Sequence, residues 1–332
     1  MTVLIPTVTV RVEDEPPLTL AVPPELEAAA TTQVGLVSTE QAREAGVQDR
    51  LAAALVARRV WHRLTRGVLD TRCGPLSAVR WDARRRRAAW AALLAFGPDA
   101  VAVGACALAL HRIVGLPPTI APQAALPGGS NRLTRDGVTV RQFDAGLETV
   151  ELEGRRVATV EWALAQAVPE LPHPNGLAVL DSALRLRLST ERGLAHAHEL
   201  ARGRRGVAAT HRLWELADGR SESAPESFGR LDCIDGGVPP DALQLPLDDS
   251  PYPERGDLAW HLGGDRWLVA EVDGKEVHDV PDAAYADRSR QNGLVSTGRF
   301  TVLRFTGRDV YGEMSRTVRR TLRRLRGPGS RA

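Results

Sequence analysis

Lysine is nearly absent from this chain. Of 43 Lys and Arg residues, Lys275 is the single lysine, which leaves 42 arginines. Most surface cations tolerate that exchange. A position that keeps Lys can use what Arg lacks, a compact ammonium with an adjustable pKa. Cysteine is scarce too. Cys73, Cys106 and Cys233 are widely spaced and form no C-x-x-C, which argues against a disulfide framework or a structural zinc site. Buried thiols in a reducing, cytoplasmic setting are the expectation. No run of about 18 apolar residues occurs, so no transmembrane helix and no membrane partner are expected. The N-terminus has no basic segment ahead of an apolar stretch, which argues against a secretory signal. Neither charge sign dominates: the net charge is +2, which by itself selects no partner. What is present is ordinary globular material: 332 residues, 43% hydrophobic and 25% charged, enough for two or three domains with real cores.

Four segments differ in pattern. Residues 1–24 are Pro-rich and of mixed charge; they read as an extended lead-in with a strand at Val8–Val12, or as a disordered tail. Residues 25–71 read as a compact helical unit closed by a hairpin. Glu25–Thr32 is a short helix, and Ser38 with Gln41 three residues later has the form of a capping box. Arg50–Arg58 has helical spacing of Leu51, Ala54 and Leu55, and Val60–Leu69 alternates like a strand pair. Helix, turn, helix and basic wing is the order of a winged helix-turn-helix, with Arg50, Arg58, Arg59, Arg63 and Arg66 as candidate DNA contacts. A small helical bundle for protein contacts is the other reading. Residues 72–220 read as an α+β middle domain without a catalytic constellation. Its Arg84–Arg87 run is expected to be a solvated helix face, and His196 and His198, two apart on a helix, cannot chelate one metal. Gly128-Gly129-Ser130 lacks the Lys and the strand–helix frame of a P-loop.

Residues 221–332 carry the chemistry. A helix starts near Ser223–Ser227, and two strands flank a Gly263-Gly264-Asp265 turn. A helix at Asp282–Thr297, a strand at Phe300–Phe305 and an Arg-rich amphipathic helix at Gly312–Arg326 follow. On the second hairpin strand, period-two geometry aligns Glu271, Asp273 and, if the strand continues, Lys275. Charged groups gathered on one strand face are not a core. A turn centred on Gly264 sets Asp257 opposite Glu271. Carboxylates converging in this way suit a hard divalent cation, Mg²⁺ or Mn²⁺, able to polarise a phosphodiester and activate water. Asp257 and Glu271 are then the metal ligands, Asp273 or Lys275 positions the water, and Glu226 is an outer ligand. Arg288, Arg290 and Arg304 contact phosphate. His278 is a general-acid candidate or a capping or surface residue. Trp260 and Trp267 are expected in the core, and Cys233, with no His placed beside it, is not a nucleophile candidate.

These residues resemble the PD-(D/E)XK nuclease pattern, and more closely the branch related to very-short-patch-repair endonucleases. The matching residues are Glu226, Gly256-Asp257, Glu271, Asp273, Gly274, Asp287, Arg290 and Val302-Leu303-Arg304-Phe305-Thr306. His278 is slightly displaced from the family's position. The family's E-x-K slot holds Asp273, with Lys275 two residues on, so D-x-K is an alternative register. The resemblance covers about 110 residues. It implies a restriction-endonuclease-like mixed sheet flanked by helices.

Gly35–Gly46 and the wing ending Arg66-Gly67-Val68, followed by an α+β middle domain, resemble the AbiEi-type antitoxin family of type IV toxin–antitoxin systems. That resemblance implies DNA binding, a cognate toxin and autoregulation of an operon. The expected fold class is thus α/β (α+β overall): winged helix-turn-helix, α+β middle, endonuclease-like C-terminal domain. Two functions follow from the resemblances: a metal-dependent endonuclease delivered to DNA by its winged helix, or an antitoxin-like repressor whose nuclease-like domain is inactive.

Overall fold

In a computed structural model of the chain, residues 7–12, 15–71, 80–126, 136–142, 146–247, 254–273 and 298–326 are described. Helices and mixed sheets alternate along the chain, an α/β composition. Two compact units divide at Ala167/Val168, inside the 72–220 segment.

The first unit opens with a hairpin of β1 (Thr7–Val12) and β2 (Glu15–Ala21), where the sequence suggests one strand or none. Next come α1 (Pro24–Thr32), β3 (Leu36–Ser38), α2 (Thr39–Glu44), α3 (Asp49–Ala57), β4 (His62–Thr65) and β5 (Val68–Asp70). The three short strands form an antiparallel sheet in the order β3-β5-β4. Both halves of the Ser38/Gln41 capping box form and fix the start of α2. Leu26, Ala30, Val37, Leu55, Trp61 and Leu69 make the core beneath this helix–strand–helix–helix–strand–strand array.

The rest of the first unit is α4 (Trp81–Phe96), β6 (Val101–Ala102), α5 (Gly104–Leu110), β7 (Gln123–Ala125), β8 (Thr139–Arg141), β9 (Thr149–Leu152), β10 (Arg155–Ala158) and α6 (Val160–Ala167). Its strands form a mixed sheet in the order β8-β7-β6-β10-β9. Alanine lets α5 disappear completely: every residue of it is buried. Ala102 lies in β6 and the helix begins at Gly104, whose φ of +52° follows an extended Val103.

The Arg84–Arg87 run is not a solvated face. Arg85 donates to the carbonyls of Pro117 and Leu116, Arg86 to Thr32 O at 3.2 Å, and buried Arg87 to Val34 O at 2.9 Å and to Asp70. The guanidinium fork supplies five donors, and these arginines use them on carbonyls left open by turns and helix ends.

The second unit has a 3-10 turn at Val168–Glu170, then α7 (His173–Arg185), α8 (Glu191–Leu200), α9 (Val207–Leu216) and α10 (Ala224–Asp235). Strands β11 (Ala242–Pro246), β12 (Arg255–Gly263), β13 (Arg266–Asp273) and β14 (Phe300–Thr306) follow, then α11 (Glu313–Arg326). They form a sheet in the order β11-β12-β13-β14; the first two pairings are antiparallel and β13–β14 is parallel. Leu258, Trp260, Leu268, Ala270, Val272 and Phe305 pack on Cys233, Met314, Val318 and Leu322, so α10 and α11 cover one face. Leu247, Ala259, Val269 and Phe300 form a smaller cluster on the other. Trp260 is a core residue whose Nε1–H donates to Val238 O at 3.0 Å. A buried network ties α7 to α10: Asp181 accepts two bonds from Arg230 (2.8 and 2.9 Å), one from the Ser227 hydroxyl (2.7 Å) and one from the Asp218 N–H (2.8 Å). Burial pushes the Asp181 carboxyl up against the opposing pull of Arg230.

Candidate functional site

The site grows from an irregularity shared by β11 and β12. Residues two apart on a regular strand face the same way. Yet Leu243 packs on the helix-side cluster and Leu245 on the opposite one. On β12, Leu258 belongs to the helix-side cluster, while a Cβ added to Gly256 would point at Val269 and Leu247 of the opposite one. Both strands therefore switch faces across Gln244 and Asp257. Gln244 carries the strain of the switch, with φ +53° at a residue that is not glycine.

The switch brings Gln244 and Asp257 together with Glu226. Glu226 stands in the first turn of α10, behind the N-cap Ser223, whose hydroxyl accepts from the Glu226 N–H at 3.4 Å. The Ser223-x-x-Glu226 spacing has the form of a capping box, but the Glu226 carboxylate accepts from the Glu222 N–H, at 2.8 Å. The same oxygen accepts from Gln244 Nε2 at 3.1 Å, and Gln244 Nε2 also reaches Asp257 Oδ1 at 3.3 Å. The other Asp257 oxygen accepts from the Val272 N–H at 2.7 Å, so the carboxylate takes a donor from the neighbouring strand β13.

Two carboxyls thus share one amide in a poorly solvated place. Glu226 is 6% exposed. Burial, then the neighbouring Asp257 charge, pushes its pKa up to about 7. Asp257 is pushed up to about 6, first by burial and with Glu271 adding to it, although the bonds from Val272 and Gln244 pull the other way. The positive end of α10 favours an anionic Glu226 by about 0.3–1 kcal/mol. That is small beside a rise of roughly two units at about 1.4 kcal/mol each. Among the described residues no Lys or Arg pairs with either carboxyl.

Glu271 lies at the edge of this group. The register Leu258↔Ala270, carried one residue further, sets Asp257 opposite Glu271. On its other side Glu271 pairs with Arg304 of β14, Nε to Oε2 at 3.1 Å, both being about a quarter exposed (24% and 29%). Asp273 is exposed at the end of β13, beside Thr306. Lys275, His278, Arg288 and Arg290 lie outside the described residues, as does the helix expected at Asp282–Thr297. Among the described residues no group of three or more His, Cys, Asp or Glu is arranged to hold a metal ion. The donor chemistry still fits a hard cation. It consists of oxygen ligands only, with no cationic partner for Glu226 or Asp257 among the described residues and with Glu271 paired to Arg304.

In the first unit, Arg50 is exposed at the start of α3 and Arg63 on β4. Arg58 and Arg59 close α3, Arg59 with φ +58°. Arg66 sits in the β4–β5 turn, where Asp136 accepts from its N–H at 3.3 Å and from the Thr65 hydroxyl at 3.0 Å. His111 is a packing residue whose Nε2 lies 2.8 Å from Ala158 O, and burial lowers its pKa.

Sequence reasoning missed Gln244. Its one signal is a buried-type strand, Ala242–Pro246, interrupted by a single amide.

Two proteins from Mycobacterium tuberculosis align with the chain, Uncharacterized protein MT2308 of strain CDC 1551 and Uncharacterized protein Rv2248 of strain H37Rv. Each is 35% identical over 208 residues, 62% of this chain and 74% of the relative. The chain belongs to their family. No family model matches it. Among the described residues no helix is long and apolar enough to cross a membrane.

Proposed function

We propose that the second unit is a divalent-metal-dependent endonuclease module of the PD-(D/E)XK type, and that the first unit brings it to DNA. The observation that carries this reading is the Glu226–Gln244–Asp257 cluster. Two carboxyls driven up by burial, with the Asp257 charge adding to Glu226 and the Glu271 charge to Asp257, and with no cationic side chain among the described residues to balance them, need either a proton or a cation. Asp257 and Glu271 would hold Mg²⁺ or Mn²⁺. When bound, such an ion supplies Lewis-acid polarisation of a phosphodiester and an activated water. Glu226, with a pKa near 7, can exchange a proton at neutral pH. Gln244 keeps the Glu226 and Asp257 oxygens facing one another, and the Val272 N–H fixes the second Asp257 oxygen. Asp273 or Lys275 orients water, His278 protonates the leaving oxygen, and Arg288, Arg290 and Arg304 contact phosphate. Arg50, Arg58, Arg59, Arg63 and Arg66 provide the DNA contacts of the first unit. The setting is a cytoplasmic defence or toxin–antitoxin system, with a cognate toxin as protein partner.

One observation favours a second reading. Arg304 already neutralises Glu271, which leaves two carboxylates for a metal; this suits an antitoxin-like repressor on an inactive nuclease scaffold. A cleavage assay separates the two. The protein is incubated with supercoiled plasmid, single-stranded DNA and RNA in Mg²⁺, Mn²⁺ or EDTA, beside Asp257→Asn and Lys275→Ala. Metal-dependent cutting that Asp257→Asn abolishes supports the nuclease, and loss in Lys275→Ala assigns D-x-K as the working register. DNA binding without cutting on any substrate supports the repressor.

A further inference from the structure

The cationic excess of the chain is concentrated in one helix. Six arginines and one glutamate in α11 give it +5, so the rest of the chain, at a total of +2, sums to −3. Arg319 donates to the Gly236 carbonyl and Arg326 to His261 O, so these two fasten the helix to its own unit. Arg316, Arg320, Arg323 and Arg324 are exposed and fall at i, i+4, i+7 and i+8, one continuous stripe about 12 Å long. Arg316 has an exposed partner in Glu313, at 3.0 Å, a pair worth little in water. Among the described residues Arg320, Arg323 and Arg324 have no ion-pair partner. Like charges three and four residues apart cost a helix roughly 0.2–0.5 kcal/mol each, so the stripe works against α11 until an anion meets it.

We propose that this arginine stripe is a docking surface for the phosphate backbone of a nucleic acid. Guanidinium forks bind phosphate oxygens in pairs. The stripe's spacing presents several of them along one line. An anionic bilayer is the competing polyanion. A helix that binds it lays an apolar face into the headgroup boundary. The apolar face of α11 is already spent, because Met314, Val318 and Leu322 are buried against the sheet and α10. The choice of nucleic acid rests on the nuclease reading above; the helix geometry does not.

The test is equilibrium binding in EDTA, where cleavage plays no part. Anisotropy of a labelled 20-base-pair duplex and a 20-nucleotide single strand is followed from 50 to 200 mM NaCl. The parent protein is compared with the triple variant Arg320→Gln/Arg323→Gln/Arg324→Gln and with Arg192→Gln. Loss of three phosphate contacts should flatten the slope of log K against log salt by about 2.7 on the duplex, or about 2 on the single strand. Arg192→Gln, an exposed arginine on α8 outside the stripe, should keep the slope to within one contact, about 0.9 on the duplex. The removed side chains are exposed and repel one another, so the triple variant should unfold at the parent's temperature or slightly above it. An unchanged slope in the triple variant overturns the proposal and leaves the nuclease reading standing. A triple variant that loses binding to phosphatidylserine vesicles but keeps its nucleic-acid slope also overturns it. A flattened slope in a protein that never cuts keeps the proposal and removes the nuclease.

Discussion

Replacing Glu226 by glutamine should remove a loss of stability of the second unit as pH rises from about 4.5 to about 7. In the folded chain the Glu226 pKa stands at about 7, against an ordinary 4.5. The folded state therefore binds a proton that the unfolded state has already released between about pH 4.5 and pH 7. Stability falls wherever the folded state holds the extra proton, so it drops as pH rises through that window and is flat above it. A rise of about 2.5 units is worth about 3 kcal/mol. Glu226→Gln keeps an oxygen for the Glu222 and Gln244 donors and has no charge to bury. The check is urea unfolding followed by tryptophan fluorescence at several pH values from 4 to 8. The variant and parent should be close at pH 4. At pH 8 the transition of residues 168–332 should favour the variant by about 3 kcal/mol, roughly 1.5 M urea at an m-value of roughly 2 kcal/mol/M. Parallel stability curves across the whole range would refute the argument.

The same cluster predicts that Mg²⁺ or Mn²⁺ raises the Tm of the parent at pH 8, by about 2.7 kcal/mol of stability at a hundred times Kd, and leaves Asp257→Asn unmoved; calorimetry with and without EDTA reads it. Gln244→Gly should be about 1 kcal/mol more stable than Gln244→Ala, because a backbone at φ +53° strains any residue with a Cβ, and chemical denaturation compares them. Arg230→Met leaves Asp181, 1% exposed, as an unpaired buried carboxylate; circular dichroism melts should show a loss of about 3–5 kcal/mol at neutral pH. Gly256→Ala would set a Cβ 2.1 Å from Val269 Cγ1 and should cost about 1–3 kcal/mol in urea unfolding, partly recovered when Val269→Ala is added.

Local order was legible in the sequence wherever a short-range pattern fixes structure. The Ser38/Gln41 spacing gave both halves of a capping box, and the tryptophan-bearing alternation of β12 and β13 gave a hairpin with Trp260 in the core. Asp257, Glu271 and Glu226 stood out because carboxylates on strand faces and helix starts must be solvated, paired or used. Composition also named the one helix that carries the charge excess. The destination of a long side chain could not be read in the same way. Arg84–Arg87 looked like a solvated run, and at least three of its members reach inward to carbonyls and to Asp70 from distant turns. The β1–β2 hairpin in the Pro-rich lead-in was equally hidden, since its pairing depends on strand contact and not on composition.

What the sequence determined by itself is the set of elements and the chemical inventory: helix caps, alternating strands, four candidate carboxylates, arginine in place of lysine. Which carboxylates meet was left to the tertiary structure. A shared break in β11 and β12 turns Gln244 and Asp257 onto Glu226, while Arg304, from a strand paired in parallel, takes Glu271. Periodicity sees only neighbours along one element. Burial, strand-to-strand register and the electrostatic coupling of groups more than ten residues apart arise only when the elements pack, and in this chain they set the protonation of the candidate site.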